Sequence, residues 1–293
     1  MGGISGEREV SLRSGQAVAH GLRQAGYDVV EKDVLGHDFE IPAQVEAVFI
    51  ALHGEFGEDG QIQRILEQRG IPYTGAGPEA SNAAFNKKIA KQRFVKNNIR
   101  TPSYEVISAG EPRTLDPPVV VKPVSQGSSI GVHRVVKDSE WAHAVNDAFI
   151  YDGEVIVEKY IDGKELTVGI VGNDVLPVIE ICAPENNYDY RAKYTKGLTQ
   201  YLVPAPLSEQ QTQSCQHLAM QTFEVLECRG FGRVDMRMAQ SGEVYMLELN
   251  TIPGFTETSL LPKAAEEAGC DFAELCDRII SMAEVVSSSM ISV

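Results

Sequence analysis

Three observations predict a mixed α/β (α+β) protein: a small parallel α/β unit followed by hairpin-based sheets. Up to about Gly77 the chain alternates apolar strand, polar loop and short helix, as parallel units do. Further on, apolar β-branched runs are joined by glycine-containing turns, a hairpin signal. Two amphipathic stretches, residues 208–229 and 271–288, read as helices that cover those sheets. Leu218, Phe223, Val225 and Leu226 form the inner side of the first. Phe272, Leu275, Ile279, Ile280, Ala283 and Val286 form that of the second.

A chain of 293 residues suits one large domain or two to three modest ones. With 43% hydrophobic and 23% charged residues it is an ordinary globular composition. The formal net charge of −15 argues against nucleic acid or an anionic membrane as partner. Any phosphate ligand must therefore be held by local cations, backbone amides or metal. The five cysteines are odd in number and form no CxxC, which fits a reducing cytoplasm without disulfides or zinc. No apolar run approaches the ~20 residues of a membrane span, and no signal-peptide pattern opens the chain. Gly6 stands where a myristoylation motif wants Ser or Thr.

Taken in order, Gly2–Ser11 is a glycine-rich loop entering a helix that runs to about Gln24 and ends near Gly26. Ser5 is the expected N-cap, with Glu7 and Glu9 where the helix dipole favours acids. Such loops usually follow a strand, so one is expected upstream of Met1. Residues 45–52 read as a strand, 53–60 as a polar loop at its end, 61–68 as a helix and 71–74 as a short strand. Gly75-Ala76-Gly77-Pro78-Glu79-Ala80 fits G-x-G-x-x-A loosely. Its proline and weak preceding strand favour a plain turn before a helix. Residues 81–97 read as one helix carrying Lys87, Lys88, Lys91 and Lys96. Such lysines usually solvate a face, although Lys87 could point into a cleft.

Val119-Val120-Val121-Lys122-Pro123 ends an apolar strand on a lysine, which needs an anion if partly buried. The loop Val124–Val132 follows with two glycines and three serines, whose amides could wrap a phosphate. A serine-rich hairpin turn is the alternative. No GxxxxGK[ST] occurs. Residues 155–161 form another apolar strand, and 162–171 a turn and strand, with Glu158 and Glu165 flanking the turn. These acids are either surface groups or ribose partners. Residues 188–197 are aromatic and basic without a clean period, so they read as a loop. In so acidic a chain that loop is a candidate lid over an anionic substrate.

The most informative stretch is 231–262. Val234, Met236 and Met238 alternate with Arg233, Asp235 and Arg237. A turn follows, then Val244–Asn250. With Ser241-Gly242 as a two-residue turn, opposed residue numbers sum to 483. Asp235 then faces Glu248, Arg233 faces Asn250, and all four share one face. Opposed carboxylates destabilise a hairpin unless neutralised. Asp, Glu and an Asn carbonyl are oxygen ligands suited to Mg²⁺. A hairpin with a solvated acidic face is the bland alternative. Thr251–Ser259 then offers hydroxyls and amides as a plausible anion-binding loop.

Six motifs in register span nearly the whole chain: GGISGEREVSL, HGEFGEDG, VKPVSQGSSIGV, VEKYIDGKELTV, YDYRAKY, and GRVDMR with LELNTIPGFTETSL. Together they resemble the D-alanine–D-alanine ligase family of the ATP-grasp superfamily. That resemblance implies an ATP-grasp fold with ATP held between the last two of three parts, 1–77, 78–162 and 163–293. It implies that two D-alanines are joined through an acyl phosphate, for peptidoglycan precursors, by a cytoplasmic homodimer. Asp235, Glu248 and Asn250 would hold two Mg²⁺ ions, Mn²⁺ being able to substitute. Lys87 and Lys122 would touch phosphates, with Lys193 near the transferred one. Glu158 and Glu165 would bind adenosine, with the Glu158–Ile161 strand end, Lys159 and Tyr160 included, as the adenine hinge. Glu7 would hold the first ammonium and form a triad with Ser128 and Tyr194, and His53 would lie near the first carboxylate. Arg233 and the Gly254 amide would stabilise the oxyanion, and Ser259 and Leu260 would receive the second carboxylate. The alternatives are a ligase taking D-lactate or D-serine second, or a non-catalytic nucleotide-binding protein. Tyr194 and His53 favour an amine by resemblance, and the intact acid set with Arg233 favours catalysis. Family members carry a strand before the first glycine loop. A chain starting at the loop is expected to gain stability when that strand is supplied.

Overall fold

A computed structural model describes residues 1–184, 188, 192, 195 and 197–285. Helix α1 (Arg8–Gln24) follows the glycine loop, and Glu7 rather than Ser5 occupies its N-cap position. The Ser5 hydroxyl instead accepts from the Glu7 amide and donates to the His53 carbonyl, 2.6 Å away. Helix α2 (Gln61–Gln68) falls where its period places it. The strands expected at 45–52 and 71–74 reduce to one parallel bridge, Val48 to Tyr73, beside a second between Gly2 and Val34. Each bridge pairs at a single residue, so no ladder propagates along these extended segments. Phe39, Ile50, Leu52, Phe56, Leu66 and Tyr73 nevertheless close an apolar core around them.

The helix expected at 81–97 is two helices, α3 (Pro78–Phe85) and α4 (Lys87–Lys96). Asn86 breaks it: its backbone is extended, and its side-chain oxygen accepts from the Ile89 amide at 3.0 Å. An asparagine cap satisfies one of the orphan donors that begin a helix. The chain bends at Gly75 and Pro78 opens α3, a turn before a helix as expected.

Two antiparallel sheets follow. The first has the order β1 (Tyr104–Ser108), β4 (Glu154–Lys159), β2 (Val119–Pro123), β3 (His133–Val135). Helix α5 (Asp138–Ala148) covers it through Ala144 and Ala148, packed with Val119, Val121, Val155 and Val157. The second sheet runs β10 (Val244–Asn250), β9 (Phe231–Ala239), β5 (Gly163–Val171), β7 (Ile179–Cys182), β8 (Gln200–Leu202), with β6 (Asp174–Val175) paired to β5.

Helix α6 (Glu209–Val225) seals one face of that sheet, its Ala219 and Phe223 packing with Val234, Met236 and Leu249. It ends four residues short of the expected 229, where Glu227 takes a positive φ of 59°. Helices α7 (Leu260–Glu267) and α8 (Phe272–Ile280) cover the other face. Helix α8 packs on α1 through Val18, Leu22, Cys276 and Ile279. It stops at Ile280, well before 288, because the chain turns out to bridge Glu284 with Tyr73. Val286 lies outside the described residues. No described helix is long and apolar enough to cross a membrane.

Candidate active site

The β9–β10 hairpin places Asp235 opposite Glu248 and Arg233 opposite Asn250, as the sequence predicts, but by another route. The turn is a three-residue loop closed by the Ala239 amide on the Glu243 carbonyl at 2.8 Å. Near the turn the register is one residue short, Met236 facing Met246. A bulge at Leu247 then restores it. Bulges re-aim side chains in this way beside functional sites. The Asp235 carboxylate accepts from Arg233 Nε (2.9 Å) and Nη2 (2.7 Å), Thr167 Oγ1 (2.6 Å) and Asn250 Nδ2 (3.0 Å). Glu248 lies 3.7 Å from the Lys87 ammonium. Side-chain cations therefore neutralise the opposed acids in this structure. Among the described residues no group of three or more His, Cys, Asp or Glu is gathered for a metal. Two carboxylates and an amide carbonyl on one face still form a hard-oxygen set, of the kind that binds Mg²⁺ together with phosphate oxygens.

A cleft opens between the two sheets, lined by Lys87, Lys122, Glu158, Glu165, Asp235 and Glu248, with Lys159, Tyr160 and Ile161 along one wall. Its floor is a buried ion triad. Glu158, 2% exposed, meets Lys122 at 3.2 Å and Lys91 at 3.1 Å. Burial pushes the Glu158 carboxyl up, but the two ammonium groups outweigh it and hold it below its ordinary value. Burial likewise lowers Lys122, and Glu158, Glu248 and Glu165 more than reverse it. Lys91 is fully buried, not a solvated lysine, and burial holds its pKa low despite Glu158. Arg237 donates to Glu165 at 3.0 Å and to the Ile161 carbonyl at 2.9 Å, and its guanidinium lies over the Tyr160 ring.

A second cleft shares Gly127, Tyr188 and Glu248 with the first. Glu7, His53, Ser128, Arg233, Gly254, Ser259 and Leu260 all line it. The Ser128 hydroxyl donates to Glu7 Oε1. Ser128 and Ser129 both take positive φ, 50° and 58°, an uncommon conformation for non-glycine residues that clusters at functional loops. A Cβ on Gly127 would stand 2.7 Å from Glu7 Oε2, so a larger residue there would push that carboxylate aside. Ser259 caps α7 by position, its hydroxyl accepting from the Thr256 amide at 3.0 Å, and Leu260 begins the helix. Lys193 and Tyr194 lie outside the described residues.

Two family models match the chain, the "D-ala D-ala ligase N-terminus" over residues 31–76 and the "D-ala D-ala ligase C-terminus" over 88–281. A D-alanine–D-alanine ligase of Methylacidiphilum infernorum is 47% identical over 281 residues, 96% of this chain and 93% of the relative. The chain belongs to the D-alanine–D-alanine ligase family. A relative of the same name in Syntrophotalea carbinolica is 45% identical over 291 residues, covering 97% of this chain and 95% of the other. Among solved structures, a D-alanine–D-alanine ligase from Bacillus anthracis matches with a TM-score of 0.85 at 34% identity, covering 96% and 95% of the two chains. The same organism's ligase complexed with ATP matches at 0.83 and 30%, covering 96% and 94%. The expected ATP-grasp fold is borne out by these D-alanine–D-alanine ligase neighbours.

Within this family framework the site holds residues that sequence reasoning left without a role. Lys91 sits four residues after Lys87, hence on the same helical face. Arg237 alternates with Arg233 and Asp235 on one strand face. Glu58 lines the second cleft and accepts from the Gly54 amide at 2.7 Å. Burial, with Glu7 beside it, pushes the Glu58 carboxyl up to about 8. Lys91 and Arg237 were readable from periodicity. Glu58 lay in the HGEFGEDG loop but carried no periodicity that marked it individually.

Proposed function

We propose that the protein joins two D-alanine molecules with ATP, through an acyl phosphate, and so supplies peptidoglycan precursors. The observation that carries this reading is the junction of the clefts. The lysine-rich cleft opens at Gly127 and Glu248 into one built from Glu7, Ser128, Arg233 and the 252–260 loop. A nucleotide's terminal phosphate and an amino acid's carboxylate would meet there.

A carboxylate is a poor electrophile. On this reading an oxygen of the first carboxylate attacks the γ-phosphorus, the bond to the β-bridging oxygen breaks, and ADP leaves with that electron pair. Lys87 and Lys122 hold the phosphates, since positioning and charge stabilisation are most of what phosphoryl transfer needs. Asp235, Glu248 and Asn250 would hold Mg²⁺, which when bound spreads the charge of the transferred group. Glu7, fixed by Ser128, holds the first ammonium. The second D-alanine attacks the acyl carbon through its neutral amine, and the amine sheds a proton. The tetrahedral oxyanion collapses and expels phosphate. A guanidinium and an aimed backbone amide suit that oxyanion, the roles given to Arg233 and Gly254. The N-terminus of α7, at Ser259 and Leu260, suits the second carboxylate. Residues 1–77 would present the first amino acid, while 78–162 and 163–293 would enclose the nucleotide.

The test is phosphate release from ATP with D-alanine present and absent, the dipeptide being identified by mass and D-lactate and D-serine run alongside. Release that requires D-alanine and yields the dipeptide supports the reading. ATP binding without such release overturns it.

A further inference from the structure

His53, Ser14 and the loop after the hairpin form a closed hydrogen-bond chain. His53 Nδ1 lies 2.9 Å from the Ile252 carbonyl oxygen, and His53 Nε2 lies 2.9 Å from Ser14 Oγ. Ser14 Oγ in turn accepts from the Phe255 amide at 3.1 Å. The four residues are 0–4% exposed. They come from α1, the 53–60 loop and the 251–259 loop, so the contacts are long-range.

The chemistry of the partners fixes where each proton sits. A carbonyl only accepts, so Nδ1 carries hydrogen. In a neutral ring Nε2 is then the bare nitrogen and accepts the Ser14 hydroxyl hydrogen, while Ser14 Oγ accepts from the Phe255 amide. A neutral ring is therefore held in one tautomer. Burial keeps the ring neutral, holding the His53 pKa down to about 4, with Arg233 acting the same way against the Ile252 hydrogen bond. A neutral ring with both nitrogens engaged offers no proton to a substrate carboxylate.

The chain grips the 252–255 segment at both ends, by the carbonyl of Ile252 and the amide of Phe255. Between those points lie Pro253 and Gly254. Among the described residues no group accepts from the Gly254 amide. Gly254 lines the second cleft, and its amide is the donor assigned above to the oxyanion. An oxyanion donor works only when it is aimed before the charge develops.

We propose that Ser14 and His53 are positioning residues: a clamp of fixed tautomer that aims the Gly254 amide at the developing oxyanion. His53 then acts through the loop. This inference rests on the ligase reading, and the two can fail separately. If the wild-type chain releases no D-alanine-dependent phosphate, the ligase reading fails first.

The experiment compares wild type, Ser14→Ala and His53→Asn. Ser14→Ala removes both bonds of the serine. In His53→Asn the side-chain amide donates to Ile252 in place of Nδ1, while Ser14 loses its acceptor. Loss of aim at one oxyanion donor is expected to lower kcat by about 10-fold to 100-fold. The KM for ATP should stay within about two-fold, because the clamp touches no residue of the nucleotide cleft. Ser14→Ala should fall further than His53→Asn. Nitrogen-15 NMR of the wild-type ring, assigned by its loss in His53→Asn, should show a protonated Nδ1 and an unprotonated Nε2 at pH 7. Wild-type kcat in either variant overturns the clamp, as does a fall in kcat matched by a rise in the KM for ATP. So does a ring carrying its proton on Nε2. If Ser14→Ala fails to fold, the His53→Asn rates and the wild-type tautomer decide the matter.

Discussion

Replacing Glu158 with Gln probes the buried triad directly. The substitution keeps the side chain's size and removes its charge. It leaves two ammonium groups, Lys91 now 3.1 Å from Oε1 and Lys122 3.2 Å from Oε2 of that carboxylate, facing one another with the counter-ion between them gone. Lys91 is wholly buried and Lys122 is 8% exposed, so water screens neither well. Breaking a buried pair by removing one partner costs about 3–5 kcal/mol, because a charge is stranded. That corresponds to a fall in Tm of roughly 6–15 °C for a chain of this size. Lys91→Met should be milder. Glu158 keeps Lys122, and the losses are the Lys91 ion pair and its hydrogen bond to Thr101 Oγ1 at 2.6 Å, about 1.5–3 kcal/mol. Urea unfolding of the nucleotide-free proteins at pH 7 gives both values. A Glu158→Gln variant as stable as wild type, or one less damaged than Lys91→Met, refutes the reasoning.

Three further outcomes are expected. Glu248→Gln should abolish turnover while circular dichroism stays unchanged, and undiminished turnover would remove Glu248 from the metal set. Glu58 is a carboxyl whose folded pKa is raised, so its contribution is full below its unfolded value near 4.3 and is lost as pH rises through about 8. Glu58→Gln should therefore melt above wild type at pH 9, with the gap closing towards pH 5, and a pH-independent gap would refute the burial argument. Asn86→Ala should lose about 1 kcal/mol by urea unfolding through its missing cap, and no change would mean that α4 starts without it.

The sequence carried the hairpin's faces and the pairing of Asp235 with Glu248. It carried them for an incomplete reason, since a longer turn and a bulge at Leu247 offset one another. Turn chemistry sets register only as far as the first irregularity. Periodicity also held enough to bury Lys91, but the general habit of lysines to face water outweighed it. The break at Asn86 was readable as a cap and passed for an ordinary helical residue. The N-terminal strands were overestimated because apolar runs show that a segment is buried, not that it pairs. The His53 clamp joins residues 39 and 199 positions away, and no local pattern encodes contacts of that kind.

Carboxylate activation by the γ-phosphoryl group is the step on which the functional account turns. D-alanine labelled with oxygen-18 in its carboxylate, incubated with ATP and the protein, tests it in one measurement. The account predicts released phosphate carrying one labelled oxygen, taken from the carboxylate when the acyl phosphate collapses. Dipeptide formed alongside wholly unlabelled phosphate would contradict it.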